Sequence, residues 1–167
     1  MVGSFNGSSV TGFIRFQQSS INDPLLISVN ITGLPAGQGT FKHGLHVHAT
    51  SIQSTSDNVT VRCGSTGLHF NPTNQTHGDI SAAVRHVGDY GNVISDNNGN
   101  IITTFNDTVS DLFGPFGIIG RAIVLHQLQD DLGLGGNAGS LSVGKIKWTK
   151  NIFFPLHNMN MVTKLFF

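Results

Sequence analysis

Six of the chain's eight histidines fall in a pattern that can hold metal. His46 and His48 are one residue apart, His69 and His77 follow, His86 has Asp89 three residues on, and His126 stands further along. On a strand, residues i and i+2 share a face, so His46 and His48 aim both imidazoles at one point while Val47 faces the core. Imidazole and carboxylate donors suit zinc in a tetrahedral site, and several imidazoles without a thiolate suit Cu(II) in tetragonal geometry. Six histidines and one aspartate are one donor short of two separate four-coordinate sites. Either one histidine bridges two metals, or one site keeps an open position. A zinc hydrolase is less attractive chemistry, because the chain contains no Glu and only Asp could act as general base.

These side chains need strands and loops to bring them together. Period-two alternation of apolar and polar residues predicts strands over 12–17, 25–32, 44–48, 101–105 and 119–126. Between them, 49–92 shows little periodicity and holds three of the histidines, and 127–139 is a second long loop; loops of that length in a compact domain are usually functional or disordered. No internal repeat occurs. The composition agrees: Gly (21), Asn (15), Asp (9) and Pro (5) supply turns, while the absence of Glu and a total of five Lys leave exposed helix surfaces without their usual residues. At 167 residues the chain is the size of one domain. The expectation is an all-β antiparallel barrel or sandwich carrying two elaborate loops.

Charge narrows the partners. Residues 1–142 hold nine Asp against five Lys and Arg, a net −4, while 143–167 hold four Lys and no acid, a net +4. A body that is slightly acidic, with no basic stripe, argues against nucleic acid. No run approaches the roughly 20 apolar residues that span a bilayer, and residues 1–10 do not form a signal peptide, so no membrane partner is expected. Five Asn-x-Ser/Thr sequons start at Asn6, Asn30, Asn58, Asn74 and Asn106 and hint at a secreted chain. The two signals oppose one another, leaving an extracellular or a cytoplasmic location open. Cys63 is the one cysteine, which excludes an internal disulfide and leaves a buried free thiol or a bridge to another chain.

Taken together, H-G-L-H-V-H (43–48), C-G-S-T-G-L-H-F-N-P (63–72), H-G-D (77–79), R-H-V-G-D-Y-G-N (85–92), I-I-G-R-A-I-V-L-H (118–126) and D-D-L-G-L-G-G-N (130–137) resemble the copper/zinc superoxide dismutase family. The likeness covers roughly residues 2–142, with 49–61 several residues longer than usual. It implies an eight-stranded Greek-key β-barrel or sandwich, immunoglobulin-like, with two long loops. It implies copper held by His46, His48, His69 and His126, and zinc held by His69, His77, His86 and Asp89, with His69 as the shared ligand. His43 and Asp130 match residues that orient the ligands without binding metal. The implied enzyme is a superoxide dismutase, which converts superoxide to oxygen and hydrogen peroxide by alternating reduction and oxidation of copper beside a structural zinc. A homodimer and a copper chaperone are the further partners such a resemblance admits.

From residue 143 the pattern departs from the family. Neither its active-site arginine nor the cysteine that would pair with Cys63 is present, so reduced activity is expected. The chain therefore divides into a superoxide dismutase-like domain, 1–142, and an atypical tail, 143–167. Only 143–148 or 151–156 offers a closing strand; 143–149 is expected to fill that place imperfectly, with 159–167 outside the core. The alternative function is a non-catalytic copper- and zinc-binding protein of the same fold, a metal carrier or structural protein, or a truncated product of low activity.

Overall fold

The computed structural model describes residues 4–5, 8–37, 41–54, 58–132, 140–145 and 159–164. In chain order the elements are β1 (Ser4–Phe5), β2 (Ser8–Ser9), β3 (Thr11–Gln18), β4 (Leu25–Thr32), β5 (Phe41–His48), α1 (Val59–Gly64), β6 (Asp89–Ser95), β7 (Ile101–Asp107), β8 (Ala122–His126), β9 (Ser140–Lys145) and β10 (Met159–Lys164). β1 and β2 form a minimal antiparallel pair. The other eight strands make two four-stranded antiparallel sheets, ordered β10-β3-β4-β7 and β6-β5-β8-β9. This is the expected all-β, two-sheet architecture.

Alternation explains the first sheet. β4 is buried at every second residue, Leu25, Ile27, Val29 and Ile31, and β3 contributes Ile14 and Phe16 to the same face. They meet Leu45, Val47, Val93, Ile123 and Leu125 from the second sheet to form the core. Strand β5 differs, because His43 to His48 are all buried whichever face they occupy. The loops cover its outer face. Ala49 N–H donates to Leu68 O at 2.8 Å, Gly44 N–H to Leu128 O at 3.1 Å, and Val47 N–H to Gly88 O at 2.9 Å. A Cβ on Gly88 would lie 2.2 Å from Val47 O, so only glycine lets that loop come so near the strand.

The predicted strands are present, with ends shifted: 44–48 extends back to Phe41, and 119–126 begins at Ala122. The segment 49–92 is less featureless than expected, for it carries α1 and the start of β6. Of the loop 127–139, residues 133–139 lie outside the described residues.

The chain end corrects the sequence expectation. β9 starts at Ser140 and ends at Lys145, pairing Val143 with Val124 and Ile123 with Gly144. The strand added beside β3 is Met159–Lys164, a segment the hydropathy pattern left outside the barrel; it pairs in register from Met159 with Gln18 to Lys164 with Phe13. An edge strand such as β3 presents a row of unpaired N–H and C=O groups, and backbone pairing can recruit a segment whose apolar pattern is weak. Residues 146–158 and 165–167, with the expectations placed on them, lie outside the described residues.

Candidate metal centre

β5 and β8 are antiparallel neighbours, with His46 opposite Val124 and Leu45 opposite Leu125. That register brings His126, at the end of β8, to 4.7 Å from His46 and 5.8 Å from His48 between ring centroids. The loop supplies the fourth ring: an isolated β-bridge joins His69 to His48, and the His69 ring lies 4.0 Å from His46 and 5.2 Å from His48. One ligand atom from each of His46, His48, His69 and His126 lies within 4.8 Å of all the others.

A second group shares two of these residues. His46, His69, His77 and Asp89 also bring their ligand atoms within 4.8 Å of one another. Asp89, fully buried at the start of β6, is its centre: His69 Nδ1 lies 2.8 Å from Oδ1, His86 Nδ1 3.1 Å from Oδ1, and His77 Nδ1 2.8 Å from Oδ2. The neighbouring donor atoms of a tetrahedral site with bonds of about 2.0–2.1 Å are themselves about 3.3 Å apart, so these spacings are close to those of a zinc site. Backbone N–H groups of Gly78 and His86 donate to Asp89 Oδ2 at 3.1 and 2.9 Å, which fixes the carboxylate.

Outer partners decide which nitrogen each ring offers. Asp130 accepts from His46 Nε2 at 2.8 Å and from His77 Nε2 at 2.7 Å. Its own position is set by Asn92, whose side-chain amide bonds both backbone groups of Asp130 at 2.8 and 2.9 Å. His48 Nδ1 donates to Gly67 O at 2.7 Å. His43 donates from Nδ1 to His126 O at 3.1 Å and accepts from Ser95 Oγ at 3.2 Å. Both its nitrogens are spent, which suits a residue that holds ligands without being one.

What is left over points to metal. Among the described residues the buried side-chain N and O atoms without a hydrogen-bond partner are His46 Nδ1, His48 Nε2, His126 Nε2, His77 Nδ1 and Arg85 Nε. Four of the five belong to the histidine cluster, and His77 Nδ1 faces Asp89 without hydrogen-bond geometry. Buried polar atoms are normally paired, so a set of convergent orphan imidazole nitrogens fits a bound cation.

Electrostatics keeps these donors available. Burial lowers His46 and His48 to about 4, so both rings are neutral at physiological pH, the form that binds metal. Burial also lowers His86. Burial opposes protonation of His77 too, but Asp130 and Asp89 outweigh it and raise this ring. Burial would raise the Asp89 carboxyl, yet His69, Gly78 N–H and His77 hold it down at about 2, and Asp130 is likewise held low by His46 and His77.

The structure thus brings together all seven residues singled out from the sequence, and places His43 and Asp130 around them. Cys63 is buried, forms no disulfide among the described residues, and packs with Ala122 and Val124. Sequence pattern did not single out Asn92, Thr66, Gly67 or Arg85. Arg85, buried, pairs with Asp107 and donates from Nη1 to His86 O at 3.2 Å and Asp89 O at 3.0 Å. A buried arginine that holds the carbonyls of His86 and Asp89 leaves no periodic trace; its place within R-H-V-G-D was the only signal.

Comparison with known proteins agrees. The family model described as copper/zinc superoxide dismutase matches residues 10–145. The Cu-Zn superoxide dismutase of Schizosaccharomyces pombe is 47% identical over 137 residues, covering 82% of this chain and 83% of that protein. Those of Neurospora crassa and Saccharomyces cerevisiae are 44% and 39% identical over the same length and the same shares of each chain. Among solved structures, the clock protein EA4 is similar with a TM-score of 0.64 and 32% identity, covering 87% of this chain and 98% of that one.

Proposed function

Because this chain belongs to the copper/zinc superoxide dismutase family, we propose that it converts superoxide to oxygen and hydrogen peroxide at the histidine cluster on the outer face of β5. Its cofactors are copper and zinc. Copper, when bound, supplies the one-electron redox chemistry, and zinc, which has none, supplies charge and a fixed loop. His46, His48, His69 and His126 would hold copper; His69, His77, His86 and Asp89 would hold zinc. His46 belongs to both close groups, but its Nε2 is engaged by Asp130, so it has one nitrogen to give and serves one metal. His69 turns Nδ1 towards Asp89 while its ring lies against His46, so its two nitrogens can face the two sites. His69 Nε2 is then the atom at which this chain would hold and release a proton during turnover.

The observation that carries this reading is the convergence of ligand atoms from His46, His48, His69 and His126 within 4.8 Å of one another, with no hydrogen bond at His46 Nδ1 or His48 Nε2. Family kinship also supports a homodimer and delivery of copper by a chaperone. It further supports a catalytic domain over 1–142 followed by an atypical end. Metal analysis together with a superoxide-dismutation assay on one preparation tests the reading. About one copper and one zinc per chain are expected, with turnover that His46→Ala abolishes and a copper resonance spectrum that shifts when zinc is withdrawn. Stoichiometric metal without turnover would instead favour a metal carrier of the same fold.

A further inference from the structure

We propose that Thr66 is a positioning residue for the copper centre, whose hydroxyl is a second acceptor for the His48 ring and lowers the reduction potential of the metal. Thr66 is fully buried, and its Oγ1 lies 2.9 Å from His48 Nδ1. The direction of that bond follows from its neighbours. Gly67 O, 2.7 Å from the same nitrogen, can only accept, so Nδ1 carries the proton. The single Thr66 hydroxyl proton goes to Cys63 O, which leaves the oxygen lone pairs facing His48. One N–H is therefore shared between a carbonyl and a hydroxyl. The other nitrogen, Nε2, is buried and unpaired, as a metal-binding atom must be before metal arrives.

The segment that carries Thr66 is itself fixed. Thr50 N–H donates to Thr66 O at 3.1 Å, and Thr66 N–H donates to Cys63 O at 3.0 Å, tying the end of α1 to the residues just beyond His48. Gly67 adopts φ +74°, which turns its carbonyl onto the ring. Acceptors on the outer nitrogen of a ligating histidine raise the basicity of the ligating one and so favour the more highly charged metal ion. Two acceptors do so more than one.

Thr66→Val removes the hydroxyl at nearly constant volume and leaves two bonds in place, His48 to Gly67 O and Thr66 N–H to Cys63 O, so the fold should survive. The inference rests on His48 being a copper ligand, and the experiment separates the two ideas. Wild type, Thr66→Val, Thr66→Ser and His48→Ala are each loaded with copper and zinc, and copper content, resonance spectrum and midpoint potential are recorded. Expected is full copper loading of Thr66→Val with an altered copper spectrum and a Cu(II)-over-Cu(I) preference reduced about fivefold, the scale of one neutral hydrogen bond. That is a rise of about 40 mV at 59 mV per tenfold for a one-electron couple. Thr66→Ser should restore wild-type values. If His48→Ala changes the copper spectrum but Thr66→Val does not change spectrum or potential, the Thr66 proposal is wrong and the ligand assignment stands. If Thr66→Ser behaves like Thr66→Val, shape and not the hydroxyl matters, and the proposal is again overturned. If His48→Ala leaves the copper spectrum intact, the ligand assignment fails and the proposal falls with it.

Discussion

Asp130 Oδ2 accepts a 2.8 Å hydrogen bond from His46 Nε2 with both side chains wholly buried, and no water is needed to complete it. The other carboxylate oxygen is taken by His77, so one aspartate orients a ring in each half of the cluster. Asp130→Asn keeps the shape but offers one acceptor oxygen in place of two, and turns its NH2 towards a ring N–H. Metal affinity on at least one side should fall about 10- to 100-fold, the usual cost of losing such a partner. Competition titration with a chelator measures it. Affinities for both metals within about threefold of wild type would show that the rings are held by their own packing.

A second buried carboxylate secures the loop rather than the rings. Asp107, at the end of β7, pairs with Arg85 and also accepts from Ser110 N–H at 2.8 Å and from the Ser110 hydroxyl, which in turn meets Tyr90 Oη at 2.9 Å. Asp107→Asn would leave the arginine charge buried without a counter-ion. Breaking one partner of such a pair costs roughly 3–5 kcal/mol, and urea unfolding of the metal-free protein should register it. Zinc binding should weaken as well, since Arg85 holds the carbonyls of His86 and Asp89. A loss below about 1 kcal/mol, the worth of one ordinary neutral hydrogen bond, would count against the pair.

Metal removal should be expensive for the same physical reason that the cluster fits metal. Each ion binds only the folded arrangement, so it adds about 2.7 kcal/mol of stability at a hundredfold excess over its Kd. Exhaustive chelation should therefore lower the melting temperature, and stoichiometric copper plus zinc should restore it. Calorimetry of the holo, stripped and reloaded protein decides the matter, and a melting temperature indifferent to both metals would be fatal to the assignment of His46 Nδ1, His48 Nε2, His77 Nδ1 and His126 Nε2 as metal-binding atoms.

How much of this was legible in the sequence depended on whether a residue's role had a period or a chemistry of its own. β3 and β4 could be read because one face of each is buried and the alternation survives. β6 could not: Asp89, Tyr90 and Gly91 are buried in succession, and only from there to Ser95 does burial alternate, with Ile94 exposed. The candidate ligands announced themselves by type, since six imidazoles and an aspartate in ordered motifs have few structural uses. The residues that aim them did not. Thr66 and Asn92 are ordinary loop and strand residues until the fold sets them beside His48 and Asp130. The end of the chain was misjudged because Met159–Lys164 joins the sheet by backbone pairing, which hydropathy does not record.

That last strand can be tested directly. Ending the chain after residue 158 removes β10 and leaves β3 as an open edge, with the backbone groups of Phe13 to Gln18 that pair with Met159–Lys164 turned to solvent. An uncovered edge of eight residues is a template for another chain, so the shortened protein should self-associate at concentrations where the full chain does not. The amides of β3 that face β10 should also exchange faster with solvent, while those of β5 and β8, in the other sheet, keep their protection. Hydrogen exchange on the two proteins resolves this strand by strand. If β3 amides exchange at the same rate with and without residues 159–167, the pairing of β10 contributes nothing to the barrel, and the sheet closes at β3 without it.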